Sequence, residues 1–128
     1  MSDSPERVVR RFFAAWAEPN ADELGGFFQD DAVWIDGPQG ARRGADAIKS
    51  ELAAQLTAVG GTIVEVKTLL SEGATVMVEQ VSHCSVQGTA VSAVVMAVFE
   101  LDHEGRITQW REACDLRSML DQIKAAAD

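Results

Sequence analysis

The sequence has few groups that could bind a metal ion or form disulfides. Its 128 residues include only two cysteines, Cys84 and Cys114, and two histidines, His83 and His103. The cysteines lack the C-x-x-C spacing of zinc and redox sites, and the histidines do not complete a ligand set with them. Glycine-rich phosphate loops, nucleophile-elbow serines and metalloprotease helix motifs are also missing. The sequence therefore predicts no structural disulfide, no metal site and no cofactor.

Basic residues and long apolar segments are also scarce. The 11 lysines and arginines stand against 20 acidic residues, which gives a formal net charge of −9. Such a charge repels phosphate groups, so nucleic acids and anionic membrane surfaces are not expected as partners. The longest apolar run, Ala93 to Phe99, is far shorter than the roughly 20 residues that cross a membrane. Residues 1–11 contain no hydrophobic signal core, so we expect a cytoplasmic protein.

The pattern of apolar residues predicts helices first and strands second. Length and composition, with 47% hydrophobic residues, indicate one domain over residues 1–128. Helices are predicted after Pro5, after Asn20 (including Phe27 and Phe28), at Ala45–Ala58 and after Asp115. Strands are predicted at Ala32–Asp36, Thr62–Leu70, Ala74–Val86, Thr89–Leu101 and Arg106–Ala113. Short turns between the last four strands favour an antiparallel meander, and the order of elements favours an α+β fold.

Two tight turns, at Gln87-Gly88 and at residues 102–105, allow the last three strands to be aligned from the sequence. Residues that oppose each other across these strands share one face of the sheet. The alignment predicts three rows on one face: Gln80, Val95 and Glu112; Ser82, Ala93 and Cys114; Val78, Ala97 and Trp110. Gln80 and Glu112 would then converge over small apolar side chains, with Trp110 as a flat wall. That composition is typical of a ligand pocket.

The opposite face of the middle strand is apolar as well, through Val94, Met96 and Val98. A sheet that is apolar on both faces needs a cover on both, and a second copy of the chain could provide one. The alternative is that helices of the same chain cover one face and the other stays exposed.

Glu112 is the main catalytic candidate. Apolar neighbours disfavour the charged form of a carboxyl group, which raises its pKa toward the range useful for proton transfer. The alternative is that Glu112 forms an ion pair with Arg42, Arg43 or Arg111. Asp36 ends the first strand on the same side, although an Asp before Gly-Pro also forms turns.

Other polar residues have weaker claims to a catalytic role. Gln80 and Ser82 could bind a substrate or bond to each other. His83 on the reverse face, His103 in a turn and Asp115 at a helix start are expected to have other roles.

The last part of the chain resembles the limonene-1,2-epoxide hydrolase family. The similar residues are Val-Phe-Glu-Leu at 98–101, Gly-Arg-Ile-Thr at 105–108, Trp-Arg-Glu at 110–112 and Asp-Leu at 115–116. That family lies in a superfamily with ketosteroid isomerases, SnoaL-like polyketide cyclases and nuclear transport factor 2. The resemblance implies a cone-shaped (cystatin-like) fold: a curved mixed sheet of about four to six strands wrapped around about three to four helices. It also implies an apolar central pocket and a homodimer through the outer face of the sheet.

The resemblance also assigns roles to residues of this chain. The family's water-activating aspartate falls on Glu112, and its substrate-side tryptophan falls on Trp110. Its Arg-x-Asp pair falls on Gln80 and Ser82, which cannot replace a charged arginine and an acid. In a hydrolase, Glu112 would be the base, a protonated Asp36 the acid, and Gln80 and Ser82 would position the oxygen. The pocket walls would come from Trp34, Val78, Val95, Trp110 and Cys114.

Two further functions stay open. Trp34 and Asp36 replace the Tyr-x-Asn pair of the epoxide hydrolases, and Asp36 matches the proton-shuttling aspartate of ketosteroid isomerases. An isomerase or a SnoaL-like cyclase would use Asp36 or Glu112 as base. The isomerases' second acid falls on Ala97, however, and the chain has no tyrosine to match their donor. The third candidate function is a dimer that binds an apolar ligand without catalysis.

Overall fold

A computed structural model describes residues 4–127 as four helices and a six-stranded sheet. The helices are α1 (Pro5–Ala15), α2 (Ala21–Gly25), α3 (Ala45–Ala58) and α4 (Leu116–Ala127). The strands are β1 (Phe28–Asp36), β2 (Ala41–Arg43), β3 (Ile63–Glu72), β4 (Thr75–Val86), β5 (Thr89–Leu101) and β6 (Ile107–Cys114). The predicted α+β class and the curved, cone-like arrangement are confirmed.

The sheet has the strand order β2-β1-β6-β5-β4-β3. Strands β3 to β6 form the predicted antiparallel meander, and β1 joins β6 in parallel. This parallel pair makes the sheet mixed and brings the end of β1 beside β6. The prediction placed Phe27 and Phe28 in the helix after Asn20, but Phe27 lies in the turn after α2 and Phe28 belongs to β1. Strand β2 was not predicted, because three residues are too few for a period to be recognised.

The predicted alignment is correct for one hairpin and wrong for the other. Gln80 opposes Val95 as expected. Across the second hairpin Val95 opposes Cys114, and Glu112 opposes Ala97 instead of Val95. The register is therefore displaced by two residues. Because side chains alternate between the faces, a displacement of two keeps Glu112 on the predicted face.

Two local features produce this displacement. The turn is one residue longer than expected, because the Asp102 N–H donates to the Arg106 carbonyl and Gly105 adopts a left-handed φ of 82°. Beyond it, Thr108 is an extra residue in β6 and donates its hydroxyl to the Glu100 carbonyl at 3.0 Å. Such a bulge leaves no clear signal in the apolar pattern.

The ring of Phe12 forms the centre of the hydrophobic core. It is fully buried, and other aromatic rings surround it at centroid distances of 5.1 to 6.2 Å. These rings belong to Phe13, Trp16, Phe27, Phe28, Phe99 and Trp110. Helix α1 thereby closes the narrow end of the cone against the sheet. In the part of the chain described, no helix is both long and apolar enough to cross a membrane.

We expect Phe12→Ala to lower the free energy of unfolding by about 3–5 kcal/mol, because it leaves a cavity among fixed rings. The half-buried Phe27 is the control, and its alanine variant should cost clearly less. Urea unfolding curves measure both. Equal losses for the two variants would contradict the central role of Phe12.

Candidate active site

Two carboxyl groups meet on the inner face of the sheet. Asp36 at the end of β1 lies directly opposite Glu112 of β6 in the parallel register. The Asp36 carboxyl is close enough to raise the pKa of Glu112 both by its charge and by hydrogen bonding. The indole Nε1 of Trp34 donates to Glu112 Oε1 at 3.3 Å. The structure thus brings the two acids that the sequence proposed side by side, as one carboxyl pair.

A tight turn after β1 makes this meeting possible. The Asp36 N–H donates to the Gly40 carbonyl at 2.9 Å. Gly37 has a φ of 38°, and a Cβ there would lie 3.1 Å from the Glu112 carbonyl oxygen. Glycine is therefore required for the turn to lie against β6.

The surroundings of Glu112 favour its protonated form. Burial raises the pKa of its carboxyl group well above the ordinary value, and the charge and hydrogen bonding of Asp36 raise it further. The Trp34 hydrogen bond lowers this pKa by a smaller amount. Two adjacent carboxyl groups in an apolar cavity do not both ionise cheaply, which favours retention of the Glu112 proton.

The ion pair considered for Glu112 does not form. Arg42 contacts Glu51, with Nε 3.3 Å from Oε1, and Arg111 contacts Glu100 at 2.5 Å. Glu112 therefore faces a carboxyl group and an indole rather than a guanidinium.

The carboxyl pair opens into a cavity of about 290 Å³. This volume lies near the lower end of the roughly 300–1,000 Å³ that is usual for ligand pockets, which suits a small organic ligand. Its walls are mostly apolar, and within residues 4–127 no lysine, arginine or histidine lines it. The buried polar residues of the described chain, Asp36, Thr62 and Gln80, all lie on its surface.

Most of the predicted site residues surround this cavity. Besides Asp36 and Glu112, the lining contains Trp34, Gln80, Ser82, Val95, Trp110 and Cys114. Trp34 and Trp110 stack face to face with ring centroids 4.5 Å apart, and Phe99 stacks on Trp110 as well, so the expected flat wall is a stack of buried rings at the edge of the cavity. The structure places Val78 instead in the hydrophobic core, in the same row as Ala97 and Glu112.

Gln80 lies across the cavity from the carboxyl pair. The corrected register puts it two strands and two residues away from Glu112, which is about 12 Å between backbones at ordinary strand spacing. Its Nε2 is 3.4 Å from Ser82 Oγ, and its Oε1 is buried without a protein partner. Gln80 and Ser82 therefore form a polar position on the far wall and do not converge with Glu112.

The sequence prediction missed Gln55 on α3. Gln55 Nε2 donates to Asp36 Oδ2 at 3.1 Å and to Glu51 Oε2 at 3.0 Å. The sequence does contain a signal that Gln55 faces the interior. Gln55 follows Ile48 by seven positions and Leu52 by three, so it lies on the apolar stripe of α3. A polar residue on a buried helix face needs a partner.

The remaining polar candidates have contacts elsewhere. His83 lies on the outer face between Ser92 and Glu65, and the Asp115 side chain caps α4 by accepting from the Ser118 N–H. Burial raises the pKa of the Cys84 and Cys114 thiols, which makes them poor nucleophiles. A search of residues 4–127 finds no cluster of His, Cys, Asp or Glu suited to a metal ion.

Comparisons with known proteins identify the family and the fold of the chain. The model of the SnoaL-like domain family matches residues 9–110. An LEH-like epoxide hydrolase of M. tuberculosis is 26% identical, with a TM-score of 0.81 over 94% of this chain and 90% of that chain.

Two other solved structures share the fold at lower identity. A protein with a ketosteroid isomerase-like fold from Catenulispora acidiphila, in complex with trimethylamine, is 24% identical. Its TM-score is 0.82, over 94% of this chain and 93% of that chain. SalBIII, an epoxide hydrolase/cyclase-like enzyme in pyran ring formation in the polyether salinomycin, is 21% identical. Its TM-score is 0.79, over 89% of this chain and 92% of that chain.

The buried proton predicts how stability depends on pH. Above about pH 4.5 the unfolded chain releases the Glu112 proton while the folded protein keeps it, so the free energy of unfolding falls with rising pH. The fall reaches at most about 1.4 kcal/mol per pH unit for one proton and ends at the raised pKa. Glu112→Gln should remove this contribution and be more stable than the wild type at neutral pH.

Urea unfolding from about pH 5 to about pH 8 measures the difference between the two proteins. Glu104→Gln, in the exposed turn before β6, is the matched control and should follow the wild type. Parallel curves for Glu112→Gln and the wild type would mean that the Glu112 carboxyl ionises normally.

Proposed function

The chain belongs to the SnoaL-like domain family, and we propose that it is a cofactor-independent hydrolase of the limonene-1,2-epoxide hydrolase type. The observation that carries the proposal is a pair of adjacent carboxyl groups at the wall of a small apolar cavity, where burial raises the pKa of Glu112. Such a pair offers an acid and a base side by side without a metal ion. The 26% identity with an LEH-like epoxide hydrolase supports the reaction type.

The raised pKa of Glu112 supports an exchange of the two roles expected from the sequence. In the proposed reaction, Asp36 accepts a proton from water as the water oxygen attacks an epoxide carbon. The carbon–oxygen bond breaks, and Glu112 gives its proton to the leaving oxygen. The product is a vicinal diol, and no covalent bond to the enzyme forms. The proton on Asp36 then passes to Glu112 through their hydrogen bond, which restores the pair.

The charge of the cavity favours an uncharged substrate. Since no cationic residue lines the described cavity, an anionic group would be buried beside Asp36 without a partner. An apolar body can pack on the stacked rings of Trp34 and Trp110. We therefore propose a small, uncharged, largely apolar epoxide.

A second candidate function is isomerisation or cyclisation by proton transfer. The adjacency of Asp36 and Glu112 favours it, because one carboxyl could remove a proton and its neighbour could return one on the same face of the substrate. The fold shared with a ketosteroid isomerase-like protein and with SalBIII is compatible with this reading.

We expect diol formation from a panel of small cyclic and acyclic epoxides in ¹⁸O-labelled water, with one labelled oxygen per diol. Glu112→Gln and Asp36→Asn should each lower the rate by about 10²–10⁴-fold, as is usual when a general acid or base is removed. Glu104→Gln is the matched control and should retain the wild-type rate.

Other outcomes would replace the proposal. Exchange of an α-proton of ketones into deuterated water, abolished in the same two variants, would establish the second candidate. An apolar ligand that raises the melting temperature and is recovered unchanged would indicate a binding protein.

The outer face of the sheet supports the further proposal of a homodimer. Met77, Val94 and Met96 are 55%, 54% and 53% exposed and lie close together on β4 and β5. Glu79 and Arg111 flank this patch, so a two-fold related copy could cover the apolar side chains and pair opposite charges. The expected cytoplasmic location and cofactor independence stay predictions.

Met96→Asp should shift the protein from dimer to monomer, because it would bury a charge at the centre of the proposed interface. The control Met96→Leu should stay dimeric. Sedimentation velocity over a range of concentrations measures the change. A wild-type protein that is monomeric throughout would rule out this dimer.

A further inference from the structure

A line of polar side chains leads from the carboxyl pair through α3 to the surface. Gln55 Nε2 lies within hydrogen-bond distance of both Asp36 Oδ2 and Glu51 Oε2, at 3.1 and 3.0 Å. Arg42 Nε donates to the second oxygen of Glu51 at 3.3 Å, and the Arg42 side chain is 27% exposed. The pair is therefore connected to the outside of the domain by specific contacts.

The two carboxylate partners determine the orientation of the Gln55 amide. An amide nitrogen has two N–H donors, whereas a carboxylate only accepts. Both contacts can form together only when the nitrogen faces Asp36 and Glu51. A flipped amide would place its oxygen against both carboxylates. Arg42 holds Glu51 from the other side and fixes the second acceptor in place.

Two donors compete for the negative charge of the carboxyl pair. Gln55 donates to Asp36, and Trp34 donates to Glu112 at 3.3 Å. A hydrogen bond to an ionised carboxylate favours that ionised form. Gln55 therefore favours charge on Asp36, and Trp34 favours charge on Glu112. Glu51 shares the Gln55 amide with Asp36, and the Cys114 thiol is close enough to be affected by the charges of Glu112 and Asp36.

We propose that Gln55 is a positioning residue that keeps the charge on Asp36 and the proton on Glu112, with Glu51 and Arg42 orienting its amide. The inference deepens the proposed function and rests on it in one respect: this placement of the charge and the proton assists catalysis only if the carboxyl pair is catalytic. Which of the two carboxyl groups carries the proton is a property of the folded protein and can be measured without a substrate.

Carbon-13 NMR of the side-chain carboxyl groups tests the proposal, with Glu112 assigned from the signal that Glu112→Gln removes. In the wild type we expect the Glu112 signal at its protonated position at neutral pH. In Gln55→Met, which keeps the length of the side chain and suits a helix but cannot donate, the proton should be shared with Asp36. The Glu112 signal should then move part of the way to its ionised position.

Two further variants sharpen the test. Glu51→Leu leaves the Gln55 amide free to turn, so it should shift the Glu112 signal in the same direction by a smaller amount. Gln29→Met makes the matched change on β1, outside the cavity lining, and should leave the signal unchanged. An unchanged Glu112 signal in folded Gln55→Met would overturn the inference, because burial alone would then hold the proton.

The spectra and the epoxide assay can fail independently. A shifted Glu112 signal without any turnover would support the role of Gln55 and reject the hydrolase. If turnover is found, Gln55→Met should lower kcat more than it changes KM and should alter the pH profile, whereas Gln29→Met should not.

Discussion

The contact between the carboxyl groups of Asp36 and Glu112 is the interaction on which the site depends. It exists because β1 pairs in parallel with β6 and ends level with Glu112, although the two strands are far apart in the sequence. The glycine turn after Asp36 then keeps the end of β1 against β6. Without this pairing each carboxyl group would lie alone on an apolar wall, and neither would have a partner with which to share a proton.

Placing two acids in an apolar cavity is costly, and the neighbouring residues offset part of the cost. Burying an ionised carboxylate without partners is among the most unfavourable changes in protein folding. Retaining one proton removes one of the two charges, and the amide of Gln55 and the indole of Trp34 donate to the oxygens. Natural proteins keep such arrangements mainly where the perturbed groups serve a function.

The sequence predicted the inner face of the sheet well. Side chains alternate between the two faces of a strand, so an error of two residues in the register leaves each residue on the same face. Glu112, Cys114 and Trp110 all lie on the predicted side although the second hairpin is displaced. The α+β class, α3 and the meander followed from apolar periods and turn residues. These features depend on local pattern, which a single sequence contains.

The features that the sequence did not reveal are non-local or too short to show a period. Nothing near Asp36 indicates that β1 pairs with β6, and the extra residue Thr108 resembles any other strand residue. The contact of Gln55 with Asp36 joins a helix to a strand end, so it depends on the packing of α3. The resemblance to epoxide hydrolases pointed to Glu112 as the base, and the sequence interpretation put the proton on Asp36. The burial of Glu112 and the donors around the pair favour the opposite arrangement.

A neutron structure of the deuterated protein at neutral pH would test the central claim most directly, because it shows where the proton of the pair resides. The account predicts one deuterium between the two side chains, bonded to a carboxyl oxygen of Glu112 and directed at Asp36. Two bare carboxylates separated by ordered solvent, or a deuterium bonded to Asp36, would contradict it.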